Sequence, residues 1–389
     1  MRSNVYIIVI CLWFGVGQIF SQDTIRPKIE VHGYLKTLQT AYVLNNNQLI
    51  TDQLIHNRLN FTIPVNANNQ IIAQVRNRLF YGQAVQFTQA LNGNYLDGVN
   101  PDKDRWLNLS VGGESKTGLA FLSTLDRAYW EWTPENWEFR IGRQRVNWGI
   151  STIWNPNDIF NAYGFTDFDY EERPAVDAVR LKRFIGYSGS VELVGAVGRD
   201  FKDFSIGAMY KTNIKTYDLQ VLTGFTDKNY VIGAGTAGNL GLAGLKAETS
   251  VFIPQNINEE VAVSATFAVD YTFSGGLYLS GGGLYNSLGS TTGSLASLFN
   301  FELSARNLYP YRWSALLAAN YQITELMGGG LVAVYSPGPS HALFLSPSLT
   351  YSIAQSWDLD FIGQLAFNRD NGSYKSPVQG LFLRLKWSF

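Results

Sequence analysis

Residues 261–273 read VAVSATFAVDYTF. Val261, Val263, Ala265, Phe267, Val269, Tyr271 and Phe273 share one phase, and Ala262, Ser264, Thr266, Ala268, Asp270 and Thr272 share the other. Successive side chains of an extended strand point to opposite faces, so this stretch predicts a strand with one apolar and one polar face. The rhythm recurs further on. Trp357, Leu359, Phe361, Leu365 and Phe367 alternate with Asp358, Asp360, Gln364 and Asn368. Leu381, Leu383, Leu385, Trp387 and Phe389 alternate with Arg384, Lys386 and Ser388. Such runs exceed the usual soluble strand of about 5–6 residues. They suit the roughly 9–11 residues that a tilted strand needs to cross a bilayer.

Followed outward, the alternation predicts strands near 31–42, 54–64, 70–81, 118–132, 137–148, 176–185, 189–198, 203–213 and 216–226. It continues near 229–236, 240–252, 260–273, 276–287, 311–322, 326–336, 341–353, 356–368 and 378–389. Trp106–Val111 is a candidate for one more, and Pro347 is expected to mark a bulge. Short turns at Asn66–Asn69, Thr133–Asn136, Gly186–Ser188, Asn213–Lys215, Ala237–Asn239 and Ser274–Gly275 alternate with connections that include long ones at 82–117, 149–175 and 288–310. The expected fold is therefore all-β: a closed antiparallel transmembrane barrel of about 18 strands (16 to 20), with short periplasmic turns and long extracellular loops. An even count puts both termini on the periplasmic side.

Composition agrees. Only 16% of residues are charged, against about 25% in an ordinary soluble domain. Aromatic residues make up 14%, there are 37 glycines, and mean hydropathy is only -0.05. One lipid face and one wet face give that combination. No segment after the N-terminus offers about 18 consecutive apolar residues, so helical spans are not expected. The net charge of -1 gives no footprint for nucleic acid. Arg2 followed by the apolar stretch Val5–Gly17 reads as an export leader over 1–21, with the barrel over 22–389. Cys11, the single cysteine, lies in that leader, so the mature chain has no thiol chemistry. Trp130, Trp132 and Trp137 flank Pro134, and Tyr271, Phe273, Trp357 and Trp387 sit at strand ends, as an interfacial girdle would. Phe389 at the end of an alternating strand is the kind of C-terminus that outer-membrane barrels present to their insertion machinery, and lipid with lipopolysaccharide is the expected surround.

Positions opposite the apolar phase should face the lumen. They include His56, Arg58, Arg76, Arg78, Arg127, Arg140, Arg180, Lys182, Arg384 and Lys386, which make one wall basic. The loop after the strand at 137–148 carries Asp158, Asp167, Asp169, Glu171 and Glu172, with Asp177 just beyond, against Arg173. An acidic loop against a basic wall gives a constriction whose charges set ion preference. The other reading of the same residues is a static ion-pair lattice that stiffens or fills the lumen. Asp167, Asp169 and Glu171, or Asp97, Asn100, Asp102 and Asp104, are hard-oxygen groups that could hold calcium, but no metal or cofactor is expected.

Gly142-Arg143-Gln144, Trp148-Gly149, Asn155-Pro156-Asn157-Asp158 and Arg173-Pro174 form a recurring pattern. It resembles one in porin-like barrels related to the alginate-export-type and anion-selective porins of Gram-negative outer membranes. The resemblance implies a channel whose loop after this strand folds inward. On the residues alone, Gly142 lets the strand bulge and re-aim Arg143 or Arg145 into the lumen, while Trp148 and Trp154 anchor the loop base. The pattern could equally serve only to pin the loop.

The leading expectation is an outer-membrane channel for passive diffusion of small hydrophilic solutes, with a mild preference for anions. The alternative is a non-conducting structural or assembly subunit of a larger outer-membrane complex. An enzyme is not expected, because His32, His56 and His341 are the only histidines and none has a readable nucleophile partner.

Overall fold

The computed structural model describes residues 28–44, 48–162, 164, 166–169, 171–200, 203–291, 301, 303–370 and 372–389. The expected leader at 1–21 lies outside these residues, as does part of the expected loop 288–310. The first strands are β1 (Glu30–Leu44), β2 (Leu49–Asn66) and β3 (Asn69–Gly82). The excursion that follows holds α1 (Gln83–Ala90), α2 (Leu96–Val99), a 3-10 turn at Pro101–Asp104 and β4 (Ser110–Ser115). Next come β5 (Leu119–Trp132), β6 (Trp137–Gln144), β7 (Val176–Ile185), β8 (Gly189–Val197), β9 (Phe204–Ile214), β10 (Tyr217–Thr226) and β11 (Asn229–Leu240). β12 (Ala243–Pro254), β13 (Ala262–Thr272), β14 (Tyr278–Asn286), β15 (Trp313–Thr324), β16 (Met327–Ser336), β17 (Ala342–Ala354), β18 (Trp357–Asp370) and β19 (Ser373–Ser388) complete the chain.

All 19 strands belong to one sheet, and each ladder is antiparallel between neighbours. β1 pairs with both β2 and β19, so the sheet closes on itself. β4 pairs only with β5 and stands above the short β6 on the same edge, so eighteen strands make the closed circuit. The extra strand is the one expected near Trp106–Val111, displaced a few residues. Closure is finished by the last residue: the Phe389 amide donates to the Gly33 carbonyl at 3.0 Å, and the Gly33 amide returns a bond at 2.9 Å. A closed barrel leaves no sheet edge, which is what a bilayer demands.

The phase matches the sequence reading. Phe267, Val269, Phe361 and Leu383 point outward and are 58%, 39%, 51% and 37% exposed, and Leu359 pairs in register with Leu385 on the same face. Arg58, Arg76 and Arg78 point inward and are buried. The girdle sits at both rims. Trp357 stacks on Trp387 at 5.9 Å, and Trp387 meets Phe389 at 5.0 Å, at the end that carries the termini. Tyr285 and Trp313, 4.6 Å apart, mark the other rim. All the long connections leave from that second rim.

Four local expectations need correction. The turn expected at Ala237–Asn239 lies inside β11, and the chain reverses instead at Gly241, whose φ of +65° suits glycine. Gly235 and Gly238 had blurred the alternation there. The strand expected at 137–148 stops at Gln144. Pro347 causes no bulge: Leu345 and Ser348 keep partners in unbroken register on β18. The proline bulge is at Pro377, where Lys375 and Val378 pair with Asn368 and Ala366. The last expected strand therefore begins earlier, at Ser373.

Phase predicts energetics. Phe361→Arg places a guanidinium on the lipid face and should cost about 2–4 kcal/mol at mid-depth. Ser348→Arg, on the neighbouring strand but facing the lumen, should cost far less. Urea titration of both variants folded into vesicles checks the difference.

Candidate functional site

The chain between β6 and β7 crosses the lumen. It starts where Gly142 adopts φ +122°, and a Cβ at that position would sit 2.3 Å from the Ala128 carbonyl oxygen. The next residue, Arg143, has no exposed surface. Its guanidinium donates to Asp102 at 2.7 Å and to Asp177 at 2.9 Å. Arg143 was expected to reach the constriction. It instead ties the 101–109 segment and the start of β7 to the end of β6, closing the wall where β6 is short. Geometry explains the change, since the turn at Gly142 aims the side chain under that segment.

The first half of the crossing is pinned to β8, β10 and β12. Trp148 is fully buried, its indole N–H donates to Glu192 at 2.8 Å, and its carbonyl accepts from Gln220 at 2.7 Å. Gly207 makes room for the ring, because a Cβ there would lie 2.6 Å from it. The Glu248 carboxylate accepts from the backbone amides of Ile150 and Ser151, and from that of Asn157 at 3.1 Å. Asn157 accepts from Ser250 at 2.8 Å and donates to the Ala234 carbonyl at 3.0 Å. Trp154 packs on Tyr309 from the β14–β15 connection, which also turns inward against Leu316, Val334 and Phe344. A carboxylate that accepts several backbone amides is a strong local anchor.

The second half meets the opposite side of the ring. Asp169 lies 2.8 Å from the Lys36 ammonium, 3.2 Å from His56 Nδ1 and 3.8 Å from Arg384. Arg76 Nε donates to His56 Nε2 at 3.2 Å, so the ring proton belongs on Nδ1, facing Asp169. Glu171 pairs with Arg384 at 3.2 Å and Lys386 at 2.9 Å. Glu172 lies 3.6 Å from Arg58 and accepts from Tyr34 at 3.4 Å. Arg127 donates to the carbonyls of Glu172 and Arg173 at 2.6 and 2.9 Å. Arg58 also binds Asp126 at 2.8 Å, and Arg384 binds Asp360 at 2.9 Å. Strands β10 and β12 lie across the circuit from β1 and β19, so contacts to both sets mean that this segment spans the lumen.

The remaining expected residues fall in three places. Arg140 pairs with Glu131 and, at 3.0 Å, with Glu138; Arg180 pairs with Glu138 at 3.2 Å and Glu192 at 2.9 Å, which makes a ladder of alternating charge over β5 to β8. Lys182 sits beside it, 4.8 Å from the Phe184 ring. Arg78 donates to the Val99 carbonyl at 2.9 Å and so holds the 83–118 excursion, whose Val85 and Leu96 pack on Phe80 and Leu122. Asp167 is exposed beside Thr166, whose carbonyl accepts from Gln364 at 2.6 Å. Asp158 is 2% exposed and lies in the loop's interior rather than on its lumen surface. Glu248, Glu192, Asp126 and Lys36 have no part in the sequence-based expectations above. Glu192 and Glu248 share the inward phase of their strands, which is the signal that could have found them. As for calcium, no group of three or more His, Cys, Asp or Glu among the described residues is placed to hold a metal ion. Asp169 and Glu171 are taken up by Lys36 and Lys386 instead.

Electrostatics separate the loop carboxyls. Burial pushes Asp158 up to about 7, and Arg145, the Trp148 amide and Arg173 only partly oppose it. Burial would also raise Asp169, but the His56 hydrogen bond and the Lys36 ammonium outweigh it and hold the carboxyl down at about 2. Glu171 is lowered too: burial opposes, while Lys386, Lys36 and Arg384 prevail. The signs differ. Asp158, raised in the fold, contributes stability that is complete below the unfolded value of about 3.9 and is lost as pH rises through about 7. Asp169, depressed in the fold, contributes stability above about 3.9 that is lost as pH falls through about 2. Asp158→Asn should therefore remove a loss of melting temperature that the wild type shows between about pH 4 and 7. Parallel melting profiles of the two proteins would contradict this.

No family model matches the sequence, and no curated protein matches it. The fold has solved counterparts. OccK11 (OpdR) of Pseudomonas aeruginosa is 10% identical, with a TM-score of 0.56 over 93% of this chain and 96% of that one. OccAB1 of Acinetobacter baumannii is 9% identical, with a TM-score of 0.54 over 93% and 96%. The outer membrane protein OpdK of Pseudomonas aeruginosa is 8% identical, with a TM-score of 0.52 over 92% and 99%. At these identities the likeness is one of fold, and it extends over nearly the whole length of each chain.

Proposed function

We propose that this chain is an outer-membrane channel through which small hydrophilic solutes diffuse passively, with a preference for anions. One observation carries the reading. Segment 145–175 enters the lumen and is fixed to both sides of it, so it narrows the passage at a belt of opposed charges. On β15 to β17, away from the belt, the open inward residues are small or polar, among them Asn320, Gly330 and Ser348. Solute would pass between those walls and the belt. Closely spaced charges across a narrow aqueous gap bias ion choice. In the belt, Lys36, Arg58, Arg76, Arg78, Arg127, Arg384 and Lys386 outnumber Asp126, Asp169, Glu171, Glu172 and Asp360, hence the anion preference.

In this reading residues 1–21 direct export, residues 22–389 form the barrel with its long loops outside the cell, and the strand ending in Phe389 is read by the insertion machinery. The neighbour OpdK is an outer membrane protein, and the apolar belt between aromatic rims fits the same location here. The His56–Asp169 contact resembles part of an acid–base pair, but His56 has no exposed surface and its other nitrogen faces Arg76 and Tyr34. It serves as a loop pin, and no enzymatic role is assigned.

Liposome swelling tests the reading. Vesicles carrying the purified chain should swell in small sugars and faster in small organic anions, and should exclude large oligosaccharides. Swelling no faster than that of protein-free vesicles would overturn it.

A further inference from the structure

The outer face of the barrel is not uniform. Around most of the circumference the outward residues are apolar: Leu193, Ile232, Phe267, Leu317 and Phe361 are 49%, 59%, 58%, 51% and 51% exposed. On β19, β1, β2 and β3 the pattern breaks. Gln379, Gln39, Gln53, Asn57 and Asn77 all fall on the outward phase there. Among the described residues, every carboxamide that a strand presents outward lies on these four strands.

Register shows that this is one surface. Gln39 pairs with Gln53 across β1 and β2. Asn57 pairs with Asn77, and Asn77 with Ser123 of β5. Asn77 donates to Asn57 at 3.1 Å, Ser123 donates to Asn77 at 2.7 Å, and Asn57 donates to the Tyr34 carbonyl at 3.1 Å. That chain uses one N–H of each asparagine amide and leaves the second. Gln39 and Gln53 are exposed and have no hydrogen-bond partner among the described residues. A lipid tail can satisfy none of these groups, and polar side chains at membrane depth normally face protein or water. At the edge of this face, over β17 to β2, lies a hollow of about 610 Å³, bordered by Gln39, Thr51, Pro347, Phe361 and Leu381.

We infer that a second copy of this chain packs against the β19–β3 face. The carboxamide is both donor and acceptor, so the same face on another copy can answer each free N–H and C=O. An isologous two-fold contact brings like residues together in this way. No charged group on the face would oppose such an approach. The hollow beside Gln39 takes side chains of the other copy. The inference requires only that the barrel stands in a bilayer, and it does not depend on what passes through the lumen.

Cysteine cross-linking of the full chain in proteoliposomes tests it, in a Cys11→Ser background. Gln53→Cys, and independently Gln379→Cys, should give a product of twice the chain mass with a short bis-thiol reagent. Phe267→Cys, on the far wall, should give at least tenfold less. Combining Gln39→Leu with Asn77→Leu should cut the Gln53→Cys product at least tenfold. Migration of unheated samples on a gel confirms that each barrel is closed. Closed barrels that cross-link no better through Gln53→Cys and Gln379→Cys than through Phe267→Cys would overturn the inference. So would cross-linking in native membranes to a protein of different mass with no doubled product in proteoliposomes.

Discussion

Arg143→Ala is expected to destabilise the barrel by about 3–5 kcal/mol, the range for removing one side of a buried ion pair. The side chains of Arg143 and Asp102 are fully buried and that of Asp177 is 5% exposed. The variant leaves two buried carboxylates without their shared cation, and of the two only Asp102 keeps another among the described residues, Arg105 at 3.2 Å. Two carbonyls, of Leu107 and Leu125, lose their donor as well. The consequence is local before it is global. The 101–109 segment closes the wall above β6, and without Arg143 it should open to protease at temperatures where the wild type resists. Arg143→Lys should rescue little, because a single ammonium cannot fork to both carboxylates. Adding Asp102→Asn and Asp177→Asn should recover part of the loss. Melting of the closed form, read by gel mobility after heating, checks all three. Equal melting of Arg143→Ala and wild type would show that the pair is not the fastening described here.

The second large effect concerns the other end of the same segment. Glu248→Ala leaves the amides of Ile150, Ser151 and Asn157 without their acceptor, at about 1–3 kcal/mol for each buried donor left unmade. These amides belong to a loop inside the lumen, so the loop should detach rather than the barrel unfold. Single-channel records should then show larger and noisier conductance than the wild type, with barrel melting changed little. A quiet record of wild-type conductance would mean that the crossing does not depend on this anchor.

The barrel was legible in the sequence because its physics is repetitive. Alternation over 261–273, 356–368 and 378–389 fixes which side chains meet lipid, and a one-residue slip would exchange the faces. The places that misled are those where a glycine or proline interrupts the period. Gly235 and Gly238 hid the end of β11, Gly142 hid the end of β6, and Pro347 drew attention from Pro377. The acidic loop and the basic wall could be read as two sets, because each is a run of like residues. Their pairing could not. Asp169 meets Lys36 and His56 across more than a hundred residues of sequence separation, and only the closed ring brings them together. For the same reason Arg143 was read as a lumen residue: the turn that hides it depends on Gly142 fitting against Ala128 of the neighbouring strand. The outward carboxamides of β1 to β3 were in plain sight, but their meaning depends on knowing which phase is outside.

The central claim is that the crossing segment narrows a conducting lumen and that its charged belt selects among ions. The most direct test is the reversal potential across a planar bilayer under a salt gradient near 0.1 M, where the Debye length is still about 10 Å, for the wild type and for Arg384→Gln with Lys386→Gln. The double substitution removes the cations that face Glu171, which is the most exposed of the paired belt carboxylates. The account predicts an anion-preferring potential for the wild type and a shift toward cations in the variant, fading near 1 M salt, where the Debye length is about 3 Å. Absence of conductance from folded wild-type protein, under conditions where a control porin conducts, would contradict the account and favour a non-conducting subunit of a larger outer-membrane assembly.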